Sequence, residues 1–162
     1  MNQEQKLVLA KLIRQQRWAA LATVDAEGQP LAAMVAYAFN EDSSAFYIHV
    51  SQLSQHTKHM LAQPRISLVI GEPDIGGGDP QTLPRVSIGG VVEVLQRDSE
   101  AYLRAKAKYL NRLPDSEQLF GFGDFILFQL IPESLRFVGG FAQAHSLSAK
   151  TLAECSKLSL GE

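Results

Sequence analysis

The sequence predicts a mainly β fold with an α component: an antiparallel β-barrel, closed or nearly closed, with helices packed outside it. Apolar residues recur at every second position in most segments after residue 17, which is the period of a half-buried strand. Short polar turns join consecutive strand patterns as hairpins. The strand–helix–strand spacing of a parallel sheet is absent, and this favours the antiparallel barrel.

The first third of the chain contains one predicted helix and three predicted strands. Residues 3–16 space their apolar side chains as an amphipathic helix that lies on a core. Residues 18–25 and 30–39 are two strands joined by a tight turn that contains Gly28. After the turn EDSS, residues 45–51 form a third strand whose side chains alternate between two faces.

The middle of the chain continues with a short helix and two more strands. Residues 53–63 have helical spacing, and Pro64 ends that helix. Residues 65–71 and 85–96 are strands. The segment 72–84 between them is rich in glycine and proline, so we expect a mobile loop and not a domain linker.

The last third of the chain contains a charged helix and two strands. Residues 98–111 form the helix, and Asp98 is placed to cap it. Residues 124–132 and 134–142 are the strands, and 148–158 form a short helix or a frayed tail. We therefore expect a single domain, 1–162, made of an N-terminal helix (1–16), a barrel (17–145) and a C-terminal tail or short helix (146–162).

Composition limits the classes of function. The chain has 162 residues and a formal net charge of -2, which fits one ordinary domain and gives no basic surface for nucleic acid. The single cysteine, Cys155, leaves no internal disulfide and fits a reducing compartment. The N-terminus does not have the pattern of a signal peptide, and no apolar run is long enough to span a bilayer. We expect a cytoplasmic protein without a membrane partner.

The segment YIHVSQLSQHTK, residues 47–58, concentrates groups that suit an anion. A strand face and the start of the next helix bring together hydroxyls, imidazoles and one ammonium: His49, Ser51, Ser54, His56, Thr57 and Lys58. Unpaired amides at a helix N-terminus favour a phosphate monoester. The alternative is a solvated helix start that Ser51 or Ser54 caps. Arg85, which opens the strand after the loop, could reach a ligand across the barrel mouth.

Other kinds of site find little support. His56 and His59 have helical i, i+3 spacing, but no carboxylate or thiolate accompanies them, so we predict no metal site. The Gly-x-Ser-x-Gly pattern of a hydrolase does not occur. Glycines 76–78 lack the following lysine and hydroxyl residue of a phosphate loop.

Several segments, in order, resemble the pyridoxamine 5'-phosphate oxidase-like FMN-binding split-barrel family. They are GQP and the strand after it, FYIHVS, the helix ending in AQPRISL, and RVSIGGVVEV. The closing DFILFQLIPESLRFVGGFAQA is most similar to the heme-utilisation branch of that family. The resemblance covers roughly residues 15–145 and implies a six-stranded split barrel whose homodimer interface holds two FMN molecules.

The resemblance also implies roles for particular residues. Met34 and Val35 would lie along the flavin ring, and His49, Val50 and Ser51 would flank the ring and the ribityl chain. His56, Thr57 and Lys58 would hold the phosphate, with Arg85 at the edge of the ring. Reduced flavin is often anionic, so a cation at that edge would stabilise it. This predicts an FMN-dependent oxidoreductase with a small-molecule substrate that the sequence does not identify.

The sequence departs from the vitamin-synthesising oxidases of the family. Ala33 stands where they have a phosphate-binding arginine, and His56 replaces a lysine. Their C-terminal substrate-recognition pattern has no counterpart, so we do not predict pyridoxamine-phosphate oxidation.

Two other functions stay open. One is heme binding or heme utilisation at the dimer cleft, with His145 as the candidate iron ligand. The other is a binding module without a cofactor.

Overall fold

The computed structural model describes residues 1–140 and 143–158 and contains one curled antiparallel sheet with helices around it. Its strands are β1 (Trp18–Val24), β2 (Pro30–Ala36), β3 (Ala38–Phe39), β4 (Phe46–Ser51), β5 (Arg65–Gly71), β6 (Arg85–Val94), β7 (Phe125–Val138) and β8 (Ala144–Leu147). Its α-helices are α1 (Gln3–Gln15), α2 (Gln55–Ala62), α3 (Glu100–Arg112) and α4 (Ala149–Ser156). Two 3₁₀ helices, Pro80–Thr82 and Pro114–Gly121, complete the described elements.

The sheet curls into a barrel because its two edges belong to one bent segment. The strand order is β2-β1-β5-β6-β7-β4-β3, and β8 pairs with β7. Only Tyr37 separates β2 at one edge from β3 at the other. This confirms the predicted fold class. Counting β2 and β3 as one strand and setting the four-residue β8 aside leaves the six strands that the family resemblance implied.

Alternation along β4 separates two apolar clusters. Phe46, Ile48 and Val50 point into the barrel and join the main core. Tyr47 faces outward into a second cluster beneath α3 and the 3₁₀ helix Pro114–Gly121. The two faces of this strand follow the predicted alternation.

β7 is one continuous strand, whereas the sequence predicted two strands, 124–132 and 134–142. Pro132 lies at the break and pairs with Gly90, where the register of β6 and β7 shifts. A proline has no amide to donate, and a bulge tolerates that loss. A Cβ on Gly90 would collide with the carbonyl oxygen of Ile131, so this close approach requires glycine. The described part of this segment is strand only to Val138, and residues 141–142 lie outside the described residues.

The N-cap of helix α3 lies one residue later than the sequence predicted. Ser99, not Asp98, is the N-cap, and its Oγ accepts a hydrogen bond from the Tyr102 amide at 3.1 Å. Asp98 has a φ of +65°, in the left-handed region that aspartate tolerates better than most residues. The prediction that Asp98 caps the helix was therefore wrong.

The two terminal helices pack against each other. Lys6 of α1 and Glu154 of α4 form an ion pair at 3.2 Å. Of the two predicted alternatives for the C-terminal segment, the described residues form the short helix α4, and 159–162 lie outside them. Among the helices of the described chain, none has the length and apolar character to cross a membrane.

Candidate functional site

The turn between β4 and α2 is held by the chain itself. The Ser51 hydroxyl donates to Asp124 Oδ2 at 2.6 Å and accepts from the Leu53 amide at 3.1 Å. Ser54 occupies the N-cap position of α2, and its side chain makes no cap hydrogen bond among the described residues. Ser51 therefore stabilises the turn before the helix, and Ser54 does not supply the side-chain cap of the alternative interpretation.

The three residues assigned to a phosphate point in different directions. Thr57 is fully buried, and its Oγ1 has no hydrogen-bond partner among the described residues. Lys58 is exposed, and His56 is half-buried. Consecutive helical residues do not share a face. Burial, and secondarily the neighbouring His59, lowers the pKa of His56 and so disfavours a charged ring there.

His49 is enclosed by aromatic rings. Its ring is stacked on Phe120 with centroids 3.7 Å apart and planes 7° apart, and Tyr109 and Phe125 also contact it. Both ring nitrogens are buried without a partner in the part of the chain that the structure describes. Burial, reinforced by Arg97 and Lys106, lowers the pKa of His49 to about 4. His49 is therefore neutral and covered.

The remaining residues predicted to bind FMN lie on opposite sides of the sheet. Met34 faces outward and is 48% exposed, whereas Val35 and Val50 are buried in the barrel core. The guanidinium of Arg85 donates to the carbonyls of Gln81 and Leu83, so it anchors the preceding loop.

A groove crosses the outer face of the sheet, over β1, β5, β6, β7 and β8, and we call it the outer-face groove. Its larger part has a volume of about 690 Å³ and adjoins a depression of about 350 Å³. These volumes are in the range of small-molecule sites, roughly 300–1,000 Å³. Both parts share the lining residues Ser67, Gly89, Glu133 and Ser134.

Strand register arranges the outward residues in rows across the sheet. Directly paired residues on antiparallel strands share a face. One row consists of Met34, Ala20, Val69, Ser87, Arg136 and Ser146. The next row consists of Ala32, Ala22, Ser67, Gly89 and Ser134. Both rows are apolar over β1 and β2 and carry hydroxyls farther along, so the outer face has an apolar side and a polar side.

Three of the described residues that line the groove are charged, and two of them are paired. Arg65 Nη1 and Glu133 Oε2 form an ion pair at 2.8 Å. Arg136 Nη1 donates to Ser146 Oγ at 3.2 Å, a neutral partner. Arg136 therefore gives the polar side of the groove a net positive charge.

His145 lies on the other face of the sheet. It pairs with Phe137, whose side chain is fully buried in the barrel core, and therefore points away from the groove. None of the four histidines lines the outer-face groove in the described residues. In those residues, too, no three histidine, cysteine, aspartate or glutamate side chains come together as a metal site.

Sequence reasoning missed Arg136 and the groove serines. Ser67 and Ser87 stand at outward positions of strands whose inward residues are aliphatic, and this alternation was the available signal. A serine at one outward position is ordinary, however, and only strand pairing shows that these residues share one groove.

The chain belongs to the pyridoxamine 5'-phosphate oxidase family: a profile of that family matches residues 8–139. Two relatives are both heme oxygenases by name. The chain is 30% identical to the heme oxygenase HutZ of Vibrio cholerae over 143 residues, which are 87% of this chain and 80% of HutZ. It is 33% identical to the chloroplast heme oxygenase HOZ of Arabidopsis thaliana over 120 residues, 73% of this chain, and spans about a third (34%) of HOZ.

Solved structures agree with the fold. A heme binding protein from Mycobacterium smegmatis matches with a TM-score of 0.83 and 24% identity, over 95% of this chain and 62% of that protein. HutZ of Vibrio cholerae, described there as a heme storage protein, matches with a TM-score of 0.70 and 27% identity, over 77% of this chain and 89% of HutZ. The first likeness supports the barrel fold alone.

Proposed function

We propose that this chain is a heme-handling protein, which binds heme in the outer-face groove for storage or for oxidative breakdown. The observation that carries the proposal is the 30% identity to a heme oxygenase over most of both chains. The FMN-dependent oxidoreductase, the first expectation from the sequence, becomes the second candidate. A heme-degrading protein would itself be an oxidoreductase, so the two candidates differ in cofactor and substrate.

The groove fits the chemistry of heme in its polarity. Heme is a flat apolar macrocycle with two carboxylates on one edge, and when bound it supplies a redox-active iron. The apolar side of the outer face, over Ala20 and Ala22, suits the macrocycle, and the side that carries Arg136 suits the carboxylates. The chain's own residues would thus bind and orient the ligand and exclude water from one of its faces.

We further propose that two copies of the chain associate through the same face. Large apolar residues are exposed there, with Trp18 56% exposed and Met34 48% exposed. An exposed apolar patch of this kind is typical of a protein–protein contact. A second copy would cover the groove and would enclose a ligand that one copy leaves open to solvent. This is the homodimer that the family resemblance implied.

FMN stays a second candidate because of one observation. The Thr57 hydroxyl lies fully buried in the first turn of α2 and has no partner within the described part of the chain, and a phosphate would supply an acceptor there. Two other residues predicted to bind the flavin give no comparable support. Phe120 stacks on the His49 ring, and the Arg85 guanidinium is bonded to a loop carbonyl.

Titration of the purified chain with hemin and, separately, with FMN tests the proposal. We expect a saturable Soret band with hemin and no comparable binding of FMN. A chain that binds FMN tightly and leaves hemin unbound would overturn the proposal in favour of the flavoprotein. A chain that binds neither would support the cofactor-free module.

A matched pair of variants locates the heme. Ala22 and Ala107 are both exposed, Ala22 in the groove and Ala107 on α3. Ala22→Phe should fill part of the apolar side and weaken hemin binding, whereas Ala107→Phe adds the same bulk elsewhere and should leave it unchanged. Equal hemin affinities for the two variants would mean that heme binds outside the groove.

A further inference from the structure

Among the described residues, the cation at the centre of the polar side of the outer-face groove is Arg136. Ser87, Arg136 and Ser146 lie side by side on β6, β7 and β8, in direct register. Side chains of directly paired residues project from the same face, so all three line the groove. Arg136 is therefore flanked by a hydroxyl on each neighbouring strand.

The charge of Arg136 is not compensated by a carboxylate in the described residues. Glu133 also lines the groove, but Arg65 engages it at 2.8 Å. The described partner of Arg136 is the neutral Ser146 hydroxyl. Helix α4 begins just after Ser148 at the same side, without an acidic residue in its first turn, and its N-terminal dipole adds to the positive potential.

The other arginines near this face are already engaged. Arg85 stands one row away, and its guanidinium donates to two loop carbonyls, those of Gln81 and Leu83. Arg65 is paired with Glu133. Of the two arginines that line the groove in the described residues, Arg65 and Arg136, only Arg136 can therefore accept an anionic partner without breaking an ion pair.

We infer that Arg136, oriented by Ser146, binds the carboxylate groups of the ligand in the outer-face groove and sets the direction in which that ligand lies. A guanidinium matches a carboxylate with two parallel N–H donors, a geometry that a lysine ammonium does not supply. With the carboxylate edge at β7 and β8, the apolar body of the ligand lies toward β1 and β2. The ligand class is a flat apolar molecule with carboxylates on one edge, and the inference rests on the proposed heme function.

Hemin and hemin dimethyl ester, which lacks free carboxylates, test this inference as a pair. Their dissociation constants are measured from the Soret change in one detergent-containing buffer, for the wild type and for Arg136→Gln, Arg136→Lys and Arg104→Gln. Arg104 is an exposed arginine of α3, so its variant controls for net charge. Circular dichroism and thermal melting check that every variant keeps the wild-type fold.

We expect Arg136→Gln to weaken hemin binding about 10-fold, because a hydrogen-bonded ion pair to the carboxylate is lost. The same variant should leave the affinity for the ester unchanged, Arg136→Lys should recover part of the hemin affinity, and Arg104→Gln should bind as the wild type does. The difference between the effect of Arg136→Gln on hemin affinity and its effect on ester affinity isolates the arginine–carboxylate contact.

Two results would overturn the inference and leave the proposed function intact: equal hemin affinity for the wild type and Arg136→Gln, or an equal loss for hemin and ester. A wild type that binds neither ligand would overturn the proposed function, and the inference with it.

Discussion

At the residue scale, His49 is buried in an unusual way. The residue is only 6% exposed, its ring stacks on Phe120, and neither ring nitrogen has a partner in the described residues. A buried imidazole without partners favours its neutral form strongly, because charging it would leave an unsolvated cation among aromatic rings. His49 therefore makes the fold sensitive to acid.

His49→Leu should reduce the acid sensitivity of folding. The pKa of His49 is about 4 in the folded chain and near 6.5 when unfolded, so the unfolded chain binds the extra proton first. The stability that the neutral His49 contributes is fully present above pH 6.5, the pKa of the unfolded chain, and it is lost as the pH falls toward 4, the pKa of the folded chain. We expect the wild type to lose about 2 kcal/mol between pH 7 and pH 5 through this residue, and the variant not to.

Urea unfolding of both proteins at the two pH values measures this difference. His56, whose pKa is also lowered, is present in both proteins and cancels in the comparison. Parallel loss of unfolding free energy in the two proteins would show that His49 does not titrate as its burial requires.

At the scale of the elements, local signals predicted the hairpins and helices, and neighbouring strands decided their details. Gly28 has a positive φ of +82°, a conformation that favours glycine, and the sequence predicted a tight turn at this glycine. The continuity of β7 through Pro132 was not readable, because it depends on the pairing with Gly90 of β6. The cap of α3 was misplaced by one residue, because Asp98 and Ser99 are both residue types that cap helices.

Ser99→Ala should destabilise the protein by about 1 kcal/mol, the usual cost of a lost N-cap. Asp98→Gly should be neutral or slightly stabilising, because glycine adopts the positive φ of this position more easily. Thermal or urea unfolding of the two variants shows which of the two residues, Ser99 or Asp98, caps the helix. A larger loss for Asp98→Gly than for Ser99→Ala would restore the sequence-based assignment.

Gly89→Ala should destabilise the β6–β7 pair through one contact. A Cβ at Gly89 would stand 2.8 Å from Ser134 Oγ, closer than real Cβ contacts allow. The unfolding free energy of Gly89→Ala should therefore fall, and the fall should be smaller when Ser134→Ala removes that oxygen. Strictly additive effects of the two substitutions would contradict this explanation.

At the scale of the whole molecule, the exposed apolar face predicts self-association. Met34→Glu should disrupt a homodimer by placing a charge on that face, because a buried unpaired charge is costly. Leu103→Glu is the matched control, since Leu103 on α3 is 52% exposed and lies on another surface. Light scattering should give twice the chain mass of 17.8 kDa for the wild type and the control, and about one chain mass for Met34→Glu.

A wild type that stays at one chain mass at high concentration would contradict the proposed dimer. If Met34→Glu and Leu103→Glu both stay at twice the chain mass, the contact between the copies lies elsewhere on the molecule.

The sequence by itself determined the antiparallel barrel, the hairpin order, the two faces of β4 and the family resemblance. These features depend on residue periodicity and turn chemistry within a few positions, and the chain carries that information locally. The candidate site was less readable. The anion site that residues 47–58 suggested stays a prediction, and the sequence could not show that Thr57 is fully buried.

Tertiary structure alone decided which side chains meet. Phe120 covers His49 from a distant part of the chain, and strand register places Ala20, Ser87 and Arg136 in one row from three separate segments. Each of these residues is ordinary in its local context. Their proximity depends on how the strands pair and how the sheet closes, and this follows from the packing of the whole core and not from any short stretch of sequence.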